Sequence, residues 1–292
     1  MRRINYYTGN SKEFLHSIGD ALHAENKSTY LSIEGELYAK YDEFDDNSTS
    51  LENLTPVWVQ KTPENVVKID CAHDMYNRER KDISTLWEYL KNVNGGKVIK
   101  CPLCGVRDVT DLDHYAPRSI FPEYSVHPRN LIPTCHECNL EKDNDWLTPS
   151  GHRIIFNAYF DNPLNILCVV KSEIKIDQYN MPYVRVVQTN VDKRPKGYGI
   201  MMRTLVSLGL FKLYSEHVND LFKTEFIKLD AYLKNPMTMC SYSSFEECWQ
   251  NRKAEYAACL HYPEVVGEVN LLLYNALVNS PDLDVWLSQN YR

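Results

Sequence analysis

Two short cysteine pairs, Cys101-Pro102-Leu103-Cys104 and Cys135-His136-Glu137-Cys138, constrain this chain more than any other feature. Thirty residues separate Cys104 from Cys135. Four thiolates presented by two knuckle turns can close a tetrahedral zinc site, which ties both ends of the intervening segment to one point. His136 lies inside the second knuckle and is an alternative ligand in place of a thiolate. A solvent-facing turn residue is the simpler reading. On spacing alone, the quartet also fits a zinc ribbon with no chemistry of its own.

The segment between the pairs carries Leu112-Asp113-His114-Tyr115-Ala116-Pro117 and Pro128-Arg129-Asn130-Leu131-Ile132-Pro133. An acid stands next to a base. With a reference pKa of about 6.5, His114 is close enough to neutrality to act as a general base. In a regular strand Asp113 and His114 point to opposite sides, so a kink or bulge is expected here if both face one site. Asp111 shares the alternation of Asp113 and is a candidate for supporting a metal ligand from behind. Arg118 and Arg129 are candidate phosphate contacts. His127, before Pro128, reads as a structural or exposed loop residue.

Taken together, Cys101, Cys104, Leu112-Asp113-His114, Pro117, Asn130-Leu131 and Cys135-x-x-Cys138-Asn139-x-x-Lys142 resemble the HNH nucleases, the ββα-metal class. The resemblance covers roughly residues 97 to 146, about a sixth of the chain. It implies two short antiparallel strands and a helix around one divalent cation, with His114 as the base that activates water for phosphodiester cleavage. It further implies Asp113 and Asn139 as ligands of the catalytic cation, and an Asn130 amide that fixes the segment carrying His114. The third letter of the family name is a His, and here that place holds Asn139, which leaves the preferred metal open. Oxygen ligands suit magnesium or manganese better than zinc. The expected division is zinc on Cys101, Cys104, Cys135 and Cys138 for structure, and magnesium or manganese on Asp113 and Asn139 for catalysis. Lys142, three residues after Asn139, is expected to meet a phosphate from the same helix face. Some HNH proteins of this size resemble effector subunits of bacterial antiviral systems paired with an ATPase, which would supply a protein partner.

Charge complicates the nucleic-acid reading. The net charge is −7, whereas nucleic-acid binding is driven largely by phosphate neutralisation. Residues 97 to 142 hold six Lys or Arg and six Asp or Glu, so that segment is formally neutral. A local basic patch at Asp192-Lys193-Arg194-Pro195-Lys196-Gly197, or a partner with basic surface, would resolve the conflict. Nine cysteines, an odd number, fit a reducing compartment better than a disulfide framework. No apolar run is long enough to span a bilayer and no secretory signal follows Met1-Arg2-Arg3, so a cytoplasmic protein without membrane association is expected.

The fold class expected is α+β: a mostly helical protein with a central zinc-bound ββα core and a small antiparallel sheet after it. Three regions are expected. Residues 1–95 read as helical, with a stripe of Phe14, Leu15, Ile18, Ala21 and Leu22, an acidic loop or helix end at 42–48, and a helix from Asp82 to about Gly95. Residues 96–150 form the core. In residues 151–292, β-rich runs at 166–170, 174–176 and 184–187 flank the break Asn180-Met181-Pro182 and suggest the sheet. A long helical region from Gly199 to about Lys234 and a last helix over 264–279 follow. The stripe Val218, Leu221, Phe222, Phe226, Leu229 and Leu233 is expected to pack on the N-terminal helices, or in part to dock a partner. The functional expectation is a metal-dependent endonuclease acting on DNA. Its rival is a zinc-stabilised nucleic-acid-binding or scaffold subunit without catalysis.

Overall fold

A computed structural model describes residues 1–96, 99–190, 193–239, 242–262 and 267–291. The chain forms two compact units, Met1–Pro163 and Leu164–Arg292, in a mixed α+β arrangement with, among the described residues, two separate two-stranded antiparallel sheets.

The first unit begins with four helices: α1 (Ser11–Asp20), α2 (Ala24–Asp46), α3 (Pro63–Met75) and α4 (Lys81–Val93). Local chemistry sets several of their starts. Asn10 caps α1 by accepting from the backbone N–H groups of Lys12 and Glu13, and Thr62 caps α3 ahead of a proline in its first turn. Leu15, Ile18 and Leu22 are buried as the stripe predicts, whereas Ala21 is exposed. Gly19 is required by packing, because a Cβ there would lie 2.1 Å from Cε1 of Tyr30 on α2. The acidic run at 42–48 is the end of α2, and Phe44 within it is buried at 0% exposure.

The strands β1 (Asp111–His114) and β2 (Leu131–Thr134) then pair antiparallel, with Asp113 opposite Ile132 and His114 opposite Leu131. The short helix α5 (His136–Lys142) follows directly. Residues 151–163 return onto this core. The Tyr159 hydroxyl donates to the carbonyl of Leu131 at 2.6 Å, and the Tyr115 hydroxyl donates to that of Ile155 at 2.7 Å. These bonds tie residues 151–163 to the first unit, which runs to Pro163.

In the second unit, β3 (Val170–Ile176) and β4 (Pro182–Gln188) form a hairpin around Asn180, which has a positive φ of 59°. Residues 166–168 are a 3-10 turn and not strand. The long helical region is two helices, α6 (Tyr198–Ser207) and α7 (Leu210–Lys234), broken at Gly209, whose φ of 60° is left-handed. Among the described residues α8 (Pro236–Met239), α9 (Phe245–Cys259), α10 (Glu268–Asn279) and α11 (Pro281–Asn290) follow. Residues 264–266 of the expected last helix and Asp192 of the basic patch lie outside the described residues, while Lys193, Arg194 and Lys196 are exposed.

The α7 stripe packs within its own unit, against β4 and the helices that follow. Val218, Phe222, Leu229 and Leu233 are buried, and Phe226 meets the Trp286 ring at 5.5 Å. Two polar residues on α7 explain the preference. Asn219 accepts from the backbone N–H of Val184 at 2.7 Å, and Ser215 accepts from that of Val186 at 3.2 Å. They satisfy the outer edge of β4, which would otherwise offer unpaired donors.

Candidate functional site

The four cysteines come together as the spacing requires. One ligand atom from each of Cys101, Cys104, Cys135 and Cys138 lies within 4.8 Å of the others, and none of these residues is more than 2% exposed. The sulfurs of Cys104 and Cys135 are 3.9 Å apart. A tetrahedral site with Zn–S bonds of 2.3 Å has edges of about 3.8 Å, so the cluster fits a metal ion such as zinc. The first knuckle closes with Gly105 N–H donating to Cys101 O at 2.8 Å, and Gly105 takes a positive φ of 69°. In the second, Cys135 caps α5 and accepts from Cys138 N–H. His136 is not in the cluster.

Asp113, His114 and Asn139 line one cavity of about 250 Å³, together with Pro117, Arg118 and Leu140. The ladder carrying Asp113 and His114 runs without a bulge. His114 is the last residue of its strand, and the cavity sits at that end. The bulge expected from alternation is therefore absent. Nε2 of His114 lies 2.8 Å from the carbonyl of Ser125. A carbonyl only accepts, so Nε2 carries the proton and Nδ1 keeps a lone pair. Burial pushes the imidazole down to about 3, which keeps it neutral throughout the physiological range. Its ring packs edge-on against Tyr76 at 4.5 Å.

Asn130, at 0% exposure, clamps the turn after His114. It accepts from Ala116 N–H at 2.7 Å and donates to the carbonyls of Ala116 and Tyr124, each at 3.1 Å. Asn139 donates through Nδ2 to Oδ2 of Asp111 at 3.1 Å, which leaves its Oδ1 as a donor atom for a cation. Burial raises the Asp113 carboxyl, with Lys142 opposing it.

Two of the basic residues are placed differently from expectation. Lys142 is buried at 1% exposure, donating to Asp113 Oδ1 at 3.1 Å and to His114 O at 2.8 Å. The face it shares with Asn139 is turned toward β1, so it cannot meet a phosphate in solvent. Arg129 is half-buried and committed to Asp45 at 2.8 Å and to the carbonyl of Tyr7 at 3.3 Å. Arg118 is exposed on the rim of the cavity, 6.0 Å from the centre of the Tyr76 ring. His127 is a core residue at 0% exposure, 4.3 Å from the rings of both Tyr41 and Phe44.

The sequence gives no cue for Tyr76 and Arg78, on the loop between α3 and α4. Arg78 donates to Asp111 Oδ1 at 3.0 Å. His136 Nδ1 lies 3.0 Å from Asp111 Oδ2. Burial works to raise the Asp111 carboxyl, but the hydrogen bonds from Asn139, His136 and Arg78 outweigh it and hold the group below its ordinary range.

Among the described residues, no helix is long and apolar enough to cross a membrane. No family model and no solved structure matches the chain. Over 148 residues the chain is 30% identical to protein ea31 of Escherichia phage lambda, a stretch covering 49% of this chain and 45% of that protein. The chain thus matches less than half of that relative's length.

Proposed function

We propose that this chain is a metal-dependent HNH-type endonuclease that hydrolyses phosphodiester bonds in DNA. The observation that carries the reading is the single cavity shared by Asp113, His114 and Asn139 on a strand–strand–helix unit. In the proposed reaction, Nδ1 of His114 takes a proton from the attacking water while the Ser125 carbonyl holds the ring by its other nitrogen. Asp113 and Asn139 would hold magnesium or manganese, whose charge stabilises the phosphate and the departing oxygen. Their oxygens suit a hard cation. Arg118 is placed to contact the phosphate from the rim. Zinc on the four cysteines is structural.

The same Lys142–Asp113 pair favours a second reading, a zinc-stabilised nucleic-acid-binding subunit whose cleavage site is silent, because the ammonium already occupies one carboxylate oxygen. The acidic chain also suits a partner with basic surface, which in an antiviral assembly would be an ATPase subunit. A reducing, cytoplasmic setting is part of the same proposal.

Purified protein incubated with plasmid, linear DNA or RNA, with magnesium, manganese or no divalent ion, separates these readings. Cleavage of DNA with either ion is expected, and His114→Ala is expected to lower its rate on the order of 10²- to 10⁴-fold with zinc content unchanged. Because His114 is already neutral, the wild-type rate should show no step near pH 6.5. A His114→Ala protein that cuts at the wild-type rate would remove His114 from the mechanism.

A further inference from the structure

Asp111 stands two residues before Asp113 on β1 and is 4% exposed, yet two of the three groups bound to its carboxylate belong to surface side chains. Arg78 occupies Oδ1, and His136 shares Oδ2 with the Asn139 amide. The side chains of Arg78 and His136 are 57% and 63% exposed. Here the groups that offset its desolvation include two drawn from exposed side chains. What the arrangement fixes is direction. Donation from Nδ1 leaves Nε2 of His136 free of Asp111, and the guanidinium of Arg78 has five N–H donors, of which this contact uses only part.

We propose that Asp111 is a positioning residue presenting Arg78 and His136 as a two-point clamp for a nucleic-acid phosphate, next to the phosphodiester cut at Asp113 and His114. The inference rests on the endonuclease reading for the neighbouring site. The shared partner supplies the adjacency, since Asn139 lines the cavity with Asp113 and His114 while its amide rests on Asp111. Arg78 also opens onto an approach. With Tyr76, Arg118 and the acidic Asp74 and Glu79 it lines a groove of about 630 Å³, and Arg118 belongs to the reacting cavity as well. A backbone lying in that groove would pass two guanidinium groups with an aromatic ring between them, as phosphate contacts and base stacking require. Asp111 sets the direction of the clamp, while the Arg78 guanidinium supplies the positive charge that meets the phosphate.

That last point supplies the test. Binding of a 20-base-pair DNA duplex is measured by fluorescence anisotropy over a range of KCl, in the cleavage-silenced His114→Ala protein without added divalent ion. Zinc content of every variant is checked alongside. Arg78→Ala should flatten the dependence of log K on log salt by about 0.9, the release belonging to one phosphate contact. Arg78→Lys should keep the slope because it keeps the charge. His136→Ala should weaken binding about 2- to 12-fold, as for one lost hydrogen bond. Asp111→Asn removes a negative charge near DNA and by charge alone would tighten binding, whereas loss of positioning weakens it. Binding as tight as the parent or tighter in Asp111→Asn, or an unchanged slope in Arg78→Ala, overturns the clamp. Should Asp111→Asn lose its zinc, the two surface variants decide. If the wild-type chain cuts nothing and these losses still appear, the clamp stands and the endonuclease reading falls. If it cuts and they do not, the reverse holds.

Discussion

At the scale of single residues, Lys142 shows how position in a helix can mislead. It lies about one helical turn past Asn139, a position that reads as a phosphate contact on the same helix face. The structure buries it against Asp113 with both side chains nearly without solvent contact, at 1% and 7% exposure. Breaking such a pair from one side leaves an uncompensated buried charge. Lys142→Met is therefore expected to destabilise the first unit by about 3–5 kcal/mol, and adding Asp113→Leu should restore most of it. Chemical denaturation of the single and double variants measures both. A Lys142→Met protein as stable as the parent would show that the pair contributes nothing. His127 is a comparable case, since its loop position says nothing about the Tyr41 and Phe44 rings that enclose it.

At the scale of elements, α5 has seven residues, too few to persist on its own in water. Cys135 caps it and Cys138 lies on it, so a metal on the four cysteines would hold in place the helix that carries Asn139 and Lys142. Metal binding in such sites contributes on the order of 10–16 kcal/mol to folding. Removal of zinc by a chelator, or Cys104→Ser, should abolish amide protection over residues 131–142 and lower the melting temperature. The hairpin β3–β4 should keep its protection, because the α7 side chains Ser215 and Asn219 satisfy its edge without metal. Hydrogen exchange read segment by segment tests this. Equal loss in both sheets would contradict it.

At the scale of the whole molecule, the division at Pro163 separates every candidate site residue from the second unit. Residues 1–163 expressed alone are expected to fold, to bind one zinc and to cut DNA at low salt with a rate close to that of the full chain. With a net charge of −7 on the full chain, binding should be weak and fall steeply with salt. A basic partner acting through the second unit would raise activity of the full chain and leave the fragment unchanged. A fragment that folds and binds zinc but has lost all cleavage would assign the second unit a direct part in the reaction.

What was legible in the sequence was local. Cysteine spacing fixed the four-sulfur cluster, because two short turns meeting at one metal leave little geometric freedom. The β-rich runs and the break at Asn180-Met181-Pro182 placed the hairpin at 170–188, since it depends on neighbours only a few residues apart, whereas β1 and β2 were expected only from the resemblance. Contacts across long separations were decided by the tertiary structure. No pattern near Arg78 announces its bond to Asp111, 33 positions away. The hydrophobic stripe of α7 showed that one face is buried but not which surface covers it, because apolar burial is non-directional. Ser215 and Asn219 made that choice by matching the open edge of β4. Lys142 faces Asp113 for the same kind of reason: helix periodicity sets which residues share a face, and only the packing of α5 on β1 sets where that face is turned.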